Sequence, residues 1–153
     1  MISLADLTAD VQQYWQAALG GQIPTQFPGV PLDATGLPAW MEFWLTQGRE
    51  PARRQHAADE LIVLLDVHCF SRRTDKRAVF RMADSCRSNL AQQLIPLRRL
   101  ETPDATAGYL RLFEATTRDL TRDAQQLPRL PLQHVVVSLA GRVEMPILPA
   151  IDS

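Results

Sequence analysis

The fold turns on residues 58–72, ADELIVLLDVHCFSR. Leu61 to Phe70 is too apolar for a surface loop, yet Asp66 and His68 interrupt it two residues apart. Period-two alternation puts Leu61, Val63, Leu65, Val67 and Cys69 on one face of a strand. Glu60, Ile62, Leu64, Asp66, His68 and Phe70 fall on the other. The first set is a core face. The second mixes apolar, charged and imidazole groups, the pattern of a sheet surface that touches a partner.

Upstream, residues 39–47, AWMEFWLTQ, alternate in the same way. Trp40, Glu42, Trp44 and Thr46 share one face, and Met41, Phe43 and Leu45 share the other. Both faces carry large apolar groups, so one of them needs a cover. The polar stretch between the two strands contains Arg49, Arg53 and Arg54 and predicts a hairpin arm over residues 48–58. Before the first strand lies a Pro-rich loop, residues 20–38, whose Ile23, Phe27, Val30, Leu32 and Leu37 suggest that it packs over the domain. Ser3 to Leu19 predicts a helix capped by Ser3, with Asp6 in its first turn and Leu4, Leu7, Val11 and Ala18 in its apolar stripe.

Downstream, Asp75 is expected to cap a second helix that runs to Gln93 or Leu94. Val79, Met82, Ala83, Cys86 and Leu90 form its stripe, and Pro96 marks its end. A loop through Pro103 should follow, then strands over 109–117 and 132–144, and a flexible tail over 146–153. The order α-β-β-α-β-β predicts a single α+β domain, residues 1–153. Its four-stranded, mainly antiparallel sheet would carry both helices on one face.

The chain has 153 residues and a formal charge of −1, which gives no support for nucleic-acid binding as the main task. Of its 16 basic residues only Lys76 is not Arg. Arginine suits interfaces, although a GC-rich coding sequence would produce the same skew. Cys69 and Cys86 are not needed as a staple at this size and should be reduced and buried. The N-terminus lacks the basic and apolar run of a signal peptide, and no stretch reaches the roughly 20 apolar residues of a membrane span. A soluble protein made inside the cell is the expectation.

Asp66 and His68, about 6–7 Å apart on one strand face, have the spacing by which a carboxylate could orient an imidazole. A catalytic site needs a third group, and no G-x-S-x-G elbow supplies one. His56 and His134 stand alone. GxGxxG, GxxxxGK[ST], HExxH and CxxC are all missing, so neither a cofactor nor a metal is expected, nor enzyme activity. Trp40 and Trp44 read either as a core pair or as an oligomer interface. The Arg pairs at 53–54, 72–73 and 98–99 read as solvated charge or as contacts that set register between subunits.

The succession of segments resembles the tail terminator proteins of long-tailed bacteriophages, of the lambda type. A short helix leads through a Pro-rich connection to PAWMEFWLTQ, a polar arm and ELIVLLDVHCFSR. DKRAVFRMADSCRSNLAQQL follows, then a hairpin ending in LQHVVVSLAGRVE, so that about residues 2–145 are covered. The resemblance implies a structural protein of the virion. It would form a ring, most simply a hexamer, that caps the tail tube, ends its polymerisation and joins tail to head. The tail tube protein and a neck or head-completion protein would be its partners, with no membrane and no sequence-specific nucleic acid. It would be assembled in the host cytoplasm and reside at the tail–neck junction. Trp40, Trp44, Arg49, Arg53, Arg54, Ile62, Leu64, Asp66, His68 and Phe70 would then face a neighbour. A head-completion or neck adaptor protein is the alternative.

Overall fold

The computed structural model describes residues 2–19, 21–50, 60–121 and 132–145, with backbone alone at 49, 50, 60 and 103. Arg53, Arg54, residues 51–58 of the expected arm and the expected tail 146–153 lie outside the described residues.

The elements are α1 (Leu4–Leu19), β1 (Thr25–Gln26), β2 (Ala39–Glu50), β3 (Glu60–Ser71), α2 (Arg77–Leu90), β4 (Leu94–Arg99), β5 (Thr102–Asp119) and β6 (Gln133–Glu144). They correct the expected four-stranded sheet. The sheet has six strands in the order β1-β2-β3-β6-β5-β4, is mixed, and curls into a half-barrel. Two short strands account for the difference. β1 arises inside the Pro-rich loop and pairs in parallel with β2, Thr25 opposite Met41. β4 fills the stretch after α2 that predicts a loop. Pro96 is compatible with it because β4 is an edge strand, where a missing N–H is tolerated. Ile95 and Leu97 alternate inward there and are fully buried. Because β4 folds back directly, β5 begins at Thr102 rather than near Tyr109.

Both helices pack on one face of the sheet. Trp15 of α1 meets Phe43 of β2 edge-on, with ring centroids 4.9 Å apart. Cys86 of α2 lies with its Sγ 3.8 Å from that of Cys69 on β3. Val63, Leu65, Val67 and Cys69 are fully buried, and Val135 and Val137 of β6 continue the same layer. Among the described residues, no helix covers the opposite face.

α1 also seals the β4 edge. Ser3 and Asp6 form a reciprocal cap: the Asp6 N–H donates to Ser3 Oγ at 3.1 Å, and the Ser3 N–H donates to Asp6 Oδ2 at 2.9 Å. The other Asp6 oxygen accepts from the Leu100 N–H at 2.9 Å, and Asp10 accepts from the Arg98 N–H at 2.7 Å. Two edge N–H groups that could template another strand are thereby occupied.

Candidate interface on the helix-free face of the sheet

Even-numbered residues of β2 and β3 turn away from the helices, and the antiparallel register sets them side by side. Trp40 lies opposite Phe70, Glu42 opposite His68 and Trp44 opposite Asp66. β6 lies along the other side of β3, with His134 opposite Phe70 and Ser138 opposite Asp66. Three strands thus deliver one continuous aromatic and imidazole layer. Trp40 stacks on Phe70 at 5.0 Å, Phe70 on His134 at 4.4 Å, and Trp44 leans on His68 at 5.3 Å. Glu42 stands between the tryptophans and accepts from both indoles, at 3.3 Å from Trp40 and 3.4 Å from Trp44.

Asp66 and His68 do not form a dyad. Ser138 donates to Asp66 Oδ1 at 2.5 Å, while His68 Nδ1 lies 2.8 Å from His134 Nε2. Asp66 and His68 are thus each partnered from β6. Burial, with the charge of His68 as the next contribution, pulls the His134 imidazole below its usual pKa; Glu42 and Asp119 oppose that. Two imidazoles sharing one hydrogen bond require at least one of them neutral. Among the described residues, no group of three His, Cys, Asp or Glu side chains could hold a metal.

The cover of this face is graded. Trp40 retains only 6% of its exposure, because Arg72 lies over its ring at 4.9 Å. Arg72 in turn donates through Nε to the Leu37 carbonyl at 3.0 Å, pinning the end of the Pro-rich loop over the indole. Away from that corner the cover ends. Trp44 is 59% exposed and Leu64 50% exposed, while Ile62, His68 and Phe70 are half-buried. A Trp–Leu patch held by a hydrogen-bonded framework is suited to binding another apolar surface.

The structure therefore gathers Trp40, Trp44, Ile62, Leu64, Asp66, His68 and Phe70 on one face. Arg49 is placed only by its backbone, opposite Leu61. His134 and Arg72, which single residues did not point to, join the layer. The His134 signal was available in the alternation of 133–144, since it is even-numbered like Val136 and Ser138. Arg72 follows β3 and carries no periodic mark, so only the folded loop shows its role.

No family model matches the sequence, and no curated protein sequence does. Among solved structures, one named only by a sequence identifier superposes with a TM-score of 0.68 at 12% identity, covering 97% of this chain and 100% of its own. A chain from the virion of a native gene transfer agent particle superposes with a TM-score of 0.60 at 14% identity, covering 92% of this chain and 96% of its own. At these identities the likeness is one of fold.

Proposed function

We propose that this protein is a structural component of a phage-like virion. In this reading it is a non-catalytic ring that caps the tail tube, ends tail growth and joins tail to head. The observation that carries the reading is the helix-free face of the sheet. Its aromatic layer is built and hydrogen-bonded across three strands, yet it leaves Trp44 and Leu64 open. An isolated domain would gain nothing by holding such a patch rigid, whereas a neighbouring subunit would bury it. The near full-length fold likeness to a protein of a gene transfer agent virion supports the same assignment.

A contact between two different surfaces closes into a ring when its rotation closes, and otherwise runs on as a fibre. The single sealed edge at β4 favours closure through side-chain faces over indefinite extension of the sheet. A head-completion or neck adaptor protein would use the same kind of face against a different partner. Native mass spectrometry of the protein, alone and with purified tail tube, separates the two. Closed rings formed on tube ends are expected. A protein that stays monomeric with tube and instead joins the portal-side neck would overturn the terminator assignment.

A further inference from the structure

The two edges of the sheet are treated differently. At β4 the carboxylates of Asp6 and Asp10 occupy the outward N–H groups of Leu100 and Arg98. At β2, among the described residues, the only cover is β1, two residues long. Met41 donates to the Pro24 carbonyl at 2.9 Å, so the odd-numbered residues of β2 direct their backbone groups to this side. Continuing the ladder would require an N–H from residue 28 for the Phe43 carbonyl. Pro28 has none, and β1 stops. The chain then reverses through a tight turn in which Val30 donates to Phe27 at 2.9 Å and Gly29 takes a φ of 78°. Beyond Glu42, among the described residues, no strand pairs with this edge, and Leu45 and Gln47 present their backbone groups outward.

The departing turn leaves a groove of about 510 Å³ between itself and β2. Phe27, Pro28, Val30 and Phe43 make its apolar wall, and no described residue lining it is charged. A groove walled by side chains on one side and by a free strand edge on the other accepts an extended peptide. The peptide must be uncharged and apolar at alternate positions.

The chain contains such a segment. Residues 146–151, PILPAI, are uncharged and almost wholly apolar. With the Pro149 nitrogen turned to solvent, where a strand tolerates proline, Leu148 and Ala150 would turn their N–H groups to β2. Met145, the last described residue before it, sits beside Gly108 on β5, and β3 and β2 stand between that point and the groove of the same chain. We infer that residues 147–151 of one copy add as a strand to the free β2 edge of a second copy, seated in the groove beside Phe27–Val30. The inference rests on the ring reading and gives it a head-to-tail link: the tail of one subunit enters the groove of the next.

The test uses the intact chain and a fluorescent peptide of residues 146–153. Saturable binding is expected. Leu45→Pro, which removes an outward N–H, and Thr46→Lys, which puts a charge into the groove, should each weaken it at least tenfold. A peptide carrying Leu148→Asp should lose binding to the same extent. Thr46→Lys lies at an exposed position, so it remains informative if Leu45→Pro fails to fold. Absence of saturable binding to the parent, or equal binding by folded Thr46→Lys, would overturn the inference. So would binding that appears only after Leu148→Asp in a chain that is monomeric at the assay concentration, because the tail would then fill its own groove. Rings that form normally with Thr46→Lys would remove this link and leave the ring reading in place. Peptide binding by a chain that never forms rings would support the groove and count against the ring.

Discussion

Cys69 on β3 and Cys86 on α2 face each other across the core with their sulfurs 3.8 Å apart, and both are free thiols with no solvent exposure. Cys86 also lies 3.8 Å from the Met41 sulfur. The hydrogen bond with Cys69, together with burial, pushes the Cys86 thiol far above its ordinary value. A thiol held protonated is a poor nucleophile. Neither cysteine should react with a membrane-impermeant maleimide in the native state, and both should react within minutes in denaturant. Rapid native labelling of both would show that the sheet and α2 separate far more readily than this packing allows.

The two carboxylates at the β4 edge should respond oppositely to substitution. The hydrogen bond from Ser3, followed by that from the Leu100 backbone, holds Asp6 below the usual carboxylate range. Its contribution is therefore present above the unfolded value and is lost as pH falls through the folded one. Asp6→Ala removes the return half of the reciprocal cap and an edge acceptor together and should cost about 1–3 kcal/mol. Burial raises Asp10, which is thus penalised when charged. Asp10→Asn keeps an oxygen for the Arg98 N–H without that penalty and should be neutral or stabilising at pH 7. Urea unfolding of both variants checks the pair, and a loss of stability in Asp10→Asn equal to that in Asp6→Ala would contradict it.

His134 provides a pH response just above the carboxylate range. Its folded value lies below its unfolded one. Between the two, the unfolded chain binds a proton that the native protein does not, so stability rises with pH across that window. Stability should therefore decline as pH drops below about 6.5. His134→Phe keeps the stack on Phe70 and removes the titration, and its stability difference between pH 7.5 and 5.5 should be smaller than the parent's. An unchanged difference would place the response elsewhere.

The strand faces were legible because period two is unambiguous where one side is fully apolar. Val63 to Cys69 and Met41 to Phe43 lie where alternation puts them. β1 and β4 were not legible. Two residues beside Pro24 carry no periodicity, and Pro96 reads as the end of order although an edge strand can hold it. The helix α2 starts at Arg77 with Lys76 in the cap position, one residue past the expected Asp75, whose carboxylate accepts from the Arg77 N–H at 3.0 Å. The candidate face was half legible. Its members on β2 and β3 follow from alternation, but their partners on β6 depend on a long-range register that no local pattern encodes.

The two tryptophans of that face should separate stability from assembly. Trp40 is held by the Phe70 ring, the Arg72 guanidinium and the Glu42 carboxylate, and almost none of it is open to solvent. Its truncation to Ala should cost about 3–5 kcal/mol, as for other large buried aromatics. Trp44 makes a tilted contact with His68 and a long hydrogen bond to Glu42, while more than half of it remains exposed. Trp44→Ala should change the unfolding free energy by less than about 1 kcal/mol. If a neighbour covers the face, however, Trp44 sits where anchor residues concentrate, and its loss should reduce subunit association at least thirtyfold, corresponding to about 2 kcal/mol. Leu64→Ser, at an exposed position on the adjacent strand, should act in the same direction. Denaturant titration and the concentration dependence of assembly on tube ends, measured on the same preparations, give both readings. A Trp44→Ala protein that folds and assembles like the parent would mean that this face stays in water in the particle, and the contact between copies would have to be sought at the β2 edge alone.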